Sequence, residues 1–315
     1  MIQVLANSLV PVFVGLLFGY AAGLLKVVDN KDVGSLVSFL MTFALPCSLF
    51  VAIARTPRQL LWGQAKGALV LAIVFVVVFV ATYYTSRNVG KDTAANSAVL
   101  ALTLGFPNHA GVGFPLLLAV YGPAASVSVA VGLAVGAITI TPATLAILES
   151  GTNSGRTLSP AARIRVSSVR ALQKPVFWAP MLGLVAAVVE LHMPTYLDRS
   201  LTILGDATEG TALFVTGLIV SAQRFNLSWG VGWAVFGKNV IQPALCLALA
   251  LLIGMPAEQT KYVVLLAAIP SGFFGILFGE GFDATPEVAS ASLIASTMVG
   301  ILTLAGWIIL LSHLY

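Results

Sequence analysis

The sequence predicts an all-α integral membrane protein of ten transmembrane helices. Three observations lead there: an apolar composition, apolar runs of spanning length from end to end, and a layout of the first half that recurs in the second. Of 315 residues, 58% are hydrophobic and 9% charged, and the mean hydropathy is +0.98. A water-soluble domain so composed lacks the polar side chains to cover its surface. Runs of about 20 apolar residues divided by short polar breaks suit helices, whereas barrel strands give weaker, alternating segments.

The spans are expected at 2–25, 33–54, 60–86, 93–121, 124–149, 173–192, 203–222, 229–254, 261–280 and 287–312. The first has neither a basic leader nor a small-residue cleavage site, so it reads as a span rather than a removable signal. The second carries Pro46 and Ser48, and the third opens on a polar, basic stretch. The fourth is interrupted by GFPNHAGVGFP, from Gly105 to Pro115. Thr139, Thr141 and Thr144 with Pro142 make a polar patch on the fifth, open to two roles: lining a cavity, or bonding back to their own helix across the proline. The seventh is expected to open on Asp206 and Glu209, where a helix dipole favours acids. The eighth holds Lys238 about 13 Å along its length, with Asn239, Gln242 and Pro243 nearby. The ninth, AAIPSGFFGILFGEG, breaks at Pro270, and Glu149 and Glu280 close the fifth and ninth at the inner interface.

Ten spans put both termini on one side. With the termini outside, ten Lys and Arg residues fall in inner connections and five in outer ones, as the positive-inside rule asks. The longest connection, 150–172, is basic and is read as a cytoplasmic linker at lipid headgroups between a first five-span repeat, 1–149, and a second, 173–315. Because five is odd, the second repeat lies inverted. Matched breaks in inverted halves point to the central site of a transporter.

A proline inside a membrane helix removes a donor and displaces a carbonyl, so such a break needs protein or water around it. After Pro107 comes Asn108, a strong helix cap, then His109, Gly111 and Gly113; after Pro270 come Ser271, another cap type, and Gly272. Each break is expected to end one half-helix and start another whose N-terminus attracts a carboxylate. Asn108 is the foremost candidate for substrate contact. His109 is read either as a titrating group of a proton-coupled cycle or as a satisfied polar residue, and Lys238 either as an anion attractor or as a buried, paired cation.

The runs LPCSLF, FPNHAGVGFPLLLAVYG, GDATEGTALFVTGLIVS, GKNVIQPAL and AAIPSGFFGILFGEGFDATPEVAS resemble the auxin efflux carrier family, which includes plant PIN-type carriers and bacterial malonate and malate permeases. The resemblance runs in order from the second span to the last. It implies a fold like that of the bile acid sodium symporter: two inverted five-helix repeats, fourth and ninth helices crossing at their breaks, a panel-like scaffold and an elevator-like transport domain. It also implies that Asn108 lies at the substrate carboxylate, that Pro107 and Pro270 mark the crossover, and that Pro46 faces the site. Plant members have Asn-Pro-Asn where this chain has Lys174-Pro175-Val176, and an acid where Trp62, Gly63, Gln64 and Lys66 stand. With the short central connection, these departures suit the bacterial, dicarboxylate branch.

The expectation is therefore a secondary transporter for a small organic anion in the cytoplasmic (inner) membrane. Its substrate-binding candidates are Asn108, Pro107, His109, Gly111, Pro270, Ser271, Gly272, Pro46, Ser48, Thr141 and Lys238. An auxin-like aromatic carboxylate, a uniporter and a transporter-like receptor are the alternatives. Expected partners are the anion, the bilayer, a proton or sodium as coupling ion, and a second copy of the chain; no nucleic acid and no cofactor is expected. The sequence has no Gly-x-x-x-x-Gly-Lys-Ser/Thr motif for ATP, and its three histidines lie on separate spans without an HExxH pair, so neither ATP drive nor catalysis is expected. Cys47 and Cys246 fall within spans and suggest neither a disulfide nor a metal site.

Overall fold

The computed structural model describes residues 2–29, 33–55, 63–150, 159, 162, 175–191, 193–222, 226–280, 282–284 and 286–314. All regular structure among them is helical. In chain order the helices are α1 (Ile2–Leu24), α2 (Val33–Ala54), α3 (Gln64–Gly90), α4 (Ala94–Gly105), α5 (His109–Tyr121) and α6 (Pro123–Ser150), then α7 (Pro175–Val188), α8 (Thr195–Ala222), α9 (Trp229–Leu252), α10 (Ala257–Ala268), α11 (Phe274–Glu280) and α12 (Glu287–Leu314). Six of them, α2, α3, α6, α8, α9 and α12, are long and apolar enough to cross a membrane. Bulky apolar side chains such as Leu17, Phe18, Val185, Trp229 and Leu302 are exposed, a surface that water would penalise and lipid tails would not. The chain is a multi-pass membrane protein. Most of the basic linker and the residues Trp62, Lys174 and His192 lie outside the described residues.

The prolines shape the helices they occupy. In α2, α5 and α9 a wide π turn, at Leu40–Ala44, His109–Gly113 and Gly237–Ile241, comes just before Pro46, Pro115 and Pro243. The wider turn moves aside the carbonyl that the proline ring would strike. In α9 that freed carbonyl belongs to Asn239, and it accepts the Trp307 indole N–H from α12 at 2.9 Å. Two threonines of α6 bond back to their own helix: Thr139 donates to Val135 O at 2.5 Å and Thr144 to Ile140 O at 2.9 Å.

One expectation is corrected. The seventh span does not open at Asp206, because α8 starts at Thr195. Its 28 residues reach about 42 Å, well beyond a hydrocarbon core of about 30 Å. Its first turns project past the apolar region, where Asp198 accepts from Arg55 Nε at 3.1 Å and Nη2 at 2.5 Å. Asp206 stands three turns into α8, so the helix dipole does not account for it.

Packing divides the helices into two groups. In the first, α1 lies against α8, and α2 against α7 and α8. Backbones meet there: a Cβ on Gly19 would lie 1.9 Å from Phe214 O, and one on Gly217 1.9 Å from Leu16 O. Ser48 belongs to this group, with its Cα where a Cβ on Gly205 would come within 2.9 Å. The second group packs α3 on α4 and α6, α9 on α3 and α10, α11 on α4, and α12 on α9 and α10. Helix α5 sits at the boundary, touching α1 and α8 on one side and α6 and α10 on the other.

Candidate substrate site at a helix crossover

Between α4 and α5 the chain is extended at Phe106 and turns at Asn108, whose φ of −72° and ψ of 64° close an inverse γ-turn with His109 N donating to Pro107 O at 2.7 Å. The break between α10 and α11 runs antiparallel to it. Pro107 pairs with Ser271, Asn108 N donates to Pro270 O at 3.0 Å, and Gly272 N donates to Thr103 O at 3.0 Å. Glycine is needed where the strands cross: a Cβ on Gly272 would lie 2.1 Å from Phe106 O. Gly300 of α12 lies beneath Pro270.

Helix ends in an apolar interior need partners for their last carbonyls, and α9 supplies one to each break. Lys238 Nζ donates to Ala267 O at 2.7 Å, at the end of α10. One turn later Gln242 Nε2 donates to Gly105 O at 3.1 Å, at the end of α4. Two residues four apart on one face thus hold both half-helices. His109 is fully buried, its ring against Phe75 and Phe106, and its Nε2 is 3.2 Å from Leu266 O, the neighbouring carbonyl of α10.

The Asn108 side chain is engaged at both ends of its amide. Its Oδ1 accepts from Gly111 N at 2.9 Å, capping α5, and its Nδ2 donates to Thr216 Oγ1 of α8 at 3.1 Å. Across the crossover, Ser271 N donates to Ser296 Oγ at 3.0 Å, and Ser296 Oγ donates to Asn239 Oδ1 at 2.7 Å. Three buried atoms at the breaks, Thr103 Oγ1, Ser271 Oγ and Gln242 Oε1, have no hydrogen-bond partner among the described residues. Unsatisfied buried polar atoms call for a ligand or water.

The structure therefore brings together Pro107, Asn108, His109, Gly111, Pro270, Ser271, Gly272 and Lys238. Thr141 is buried on α6 next to Ile140, which packs on Gly105. Pro46 and Ser48 lie on α2, among the first group of helices. Sequence reasoning missed Thr216 and Ser296. Both are ordinary hydroxyl residues in apolar spans, and Thr216 lies 108 positions from its partner, so no local spacing could reveal them.

A multi-pass helical bundle in which two proline-broken helices cross is the architecture of a membrane transporter. The family model described as "Membrane transport protein" matches residues 4–308, and the chain belongs to that family, the family of the auxin efflux carriers. "Uncharacterized transporter YfdV" of Escherichia coli (strain K12) is 28% identical over 313 residues, covering 98% of each chain. The "Putative malonate transporter" of Rhizobium meliloti (strain 1021) is 26% identical over 97% of this chain and 95% of its own. "Auxin efflux carrier component 8" of Arabidopsis thaliana is 22% identical over 97% of this chain and 96% of its own.

Proposed function

We propose that this transporter is a secondary carrier of a small organic anion, a carboxylate of the malonate or malate kind, across the cytoplasmic membrane. The observation that carries the reading is the crossover itself: two breaks paired through their backbones, an asparagine capping the helix that starts there, and unsatisfied buried polar atoms beside it. The N-terminal end of α5 carries partial positive charge, and the Asn108 amide is a donor beside it. A carboxylate seated there would accept from Nδ2. Lys238, whose Nζ is engaged with Ala267 O, acts in this reading by fixing α10 rather than by touching the anion.

We further read 1–149 and 173–315 as inverted repeats of five spans each, joined by the basic linker 150–172 on the cytoplasmic side. In this arrangement α4 with α5 and α10 with α11 are the corresponding broken spans, ten spans cross, and both termini face outward. The group α1, α2, α7 and α8 is the scaffold, and the group carrying the crossover moves against it as an elevator. Support comes from the packing division and from the place of α5 at the boundary.

The test is flux of radiolabelled malonate, malate and indole-3-acetate into liposomes holding the purified protein, with thermal unfolding measured alongside. A bound ligand raises stability with the logarithm of its excess. At least one carboxylate is expected to move and to raise the unfolding temperature, and Asn108→Ala to cut that flux at least ten-fold and remove the thermal response. No flux of any of the three, with no thermal shift, would sink the proposal.

A further inference from the structure

The bond from Asn108 Nδ2 to Thr216 Oγ1 joins the two packing groups, for Asn108 caps α5 at the crossover and Thr216 is on α8. Both side chains are buried, at 1% exposure each. The Thr216 hydroxyl uses its proton on Ala212 O, at 2.8 Å, so toward Asn108 it can only accept. It therefore offers the amide what a carboxylate oxygen would offer. Its position is tight: a Cβ on Gly111 would lie 2.2 Å from Thr216 Oγ1 and 2.6 Å from Asn108 Oδ1, so glycine at 111 is what lets this hydroxyl reach the cap. Thr216 is also held from behind, because the next residue, Gly217, meets the backbone of α1.

We propose that Thr216 is a placeholder and latch: its hydroxyl occupies the Asn108 amide in the ligand-free protein, tying the crossover group to the scaffold, and an incoming carboxylate oxygen displaces it. Loading then exchanges one acceptor for another at the amide while severing the tie between the groups, so the loaded carrier moves more readily than the empty one. The inference rests on the carboxylate reading above for its ligand, on the elevator reading for its movement, and on the observed hydrogen bond for the latch.

Pulsed electron-electron distances separate these parts. Spin labels go on cysteines replacing Val27, in the exposed connection after α1, and Val89, at the exposed end of α3, in a protein whose Cys47 and Cys246 are replaced by alanine. Without ligand, Thr216→Val and Thr216→Ala are expected to raise the ratio of the second distance population to the first about five-fold over wild type, the worth of one net hydrogen bond. Thr216→Ser, which restores the hydroxyl, is expected to keep the wild-type distribution. Alanine serves where valine fails to fit over Gly111. Saturating malonate is expected to shift the wild type in the same direction and to leave Thr216→Ala unmoved. If the alanine and valine variants match the wild type, the latch is wrong. If they shift while malonate leaves the wild type unmoved, the latch stands and the malonate reading fails.

Discussion

A methyl group on Gly272 would lie 2.1 Å from Phe106 O, and one on Gly306 would meet nothing within 4 Å. These two glycines predict opposite outcomes from one substitution. Gly272→Ala forces the paired breaks apart and is expected to remove most of the monodisperse protein seen on size-exclusion chromatography. Gly306→Ala, in the middle of α12, is expected to raise stability by about 0.5–1 kcal/mol, because alanine loses less freedom in a helix. Lys238 gives a third case at this scale. Lys238→Met keeps the length but leaves Ala267 O without its donor in a buried place, an expected loss of about 1–3 kcal/mol, read as a lower unfolding midpoint in detergent. The exposed Arg55–Asp198 pair, with side chains 52% and 26% accessible, is worth about 1 kcal/mol or less, so Asp198→Asn should barely move the same midpoint.

Helices here are defined as much by how they break as by how they run. The π turns of α2, α5 and α9 each precede a proline, and in α9 the carbonyl released at Asn239 is taken by Trp307. Trp307→Phe should therefore cost about 1 kcal/mol in a proline-bearing α9. In a Pro243→Ala background, residue 243 can donate to Asn239 O within the helix, and the same substitution should cost less. A double-mutant cycle on unfolding free energy is expected to return a coupling of about 0.5–1 kcal/mol; a coupling of zero would mean the indole bond is independent of the proline. The breaks were legible because proline followed by a cap residue is a local signal. Their crossing was not, since nothing in FPNH or IPSG says which carbonyl each amide will meet.

Over the whole molecule, orientation and movement are the properties at stake. In the proposed orientation the end of α3 faces the cytoplasm and the start of α8 faces outward. In a background free of Cys47 and Cys246, a cysteine replacing exposed Tyr196 should react with a membrane-impermeant maleimide in intact cells. One replacing exposed Val89 should react only after lysis. The reverse pattern would invert the topology.

The sequence by itself determined the membrane class, the helical architecture, the family, and the two stretches where helices break, because each follows from composition, run length or a short local motif. Even the polar face of Lys238 and Gln242 could be read from a spacing of four. Tertiary structure alone decided that those two side chains close the ends of two different half-helices. It placed α8 so that Thr216 meets Asn108, and it set α2, with Pro46 and Ser48, against α7 and α8. The physical reason is reach: a local pattern fixes which backbone groups go unpaired, but their partners come from distant parts of the chain, 137 residues away in the case of Gly105 and Gln242, chosen by how the bundle packs.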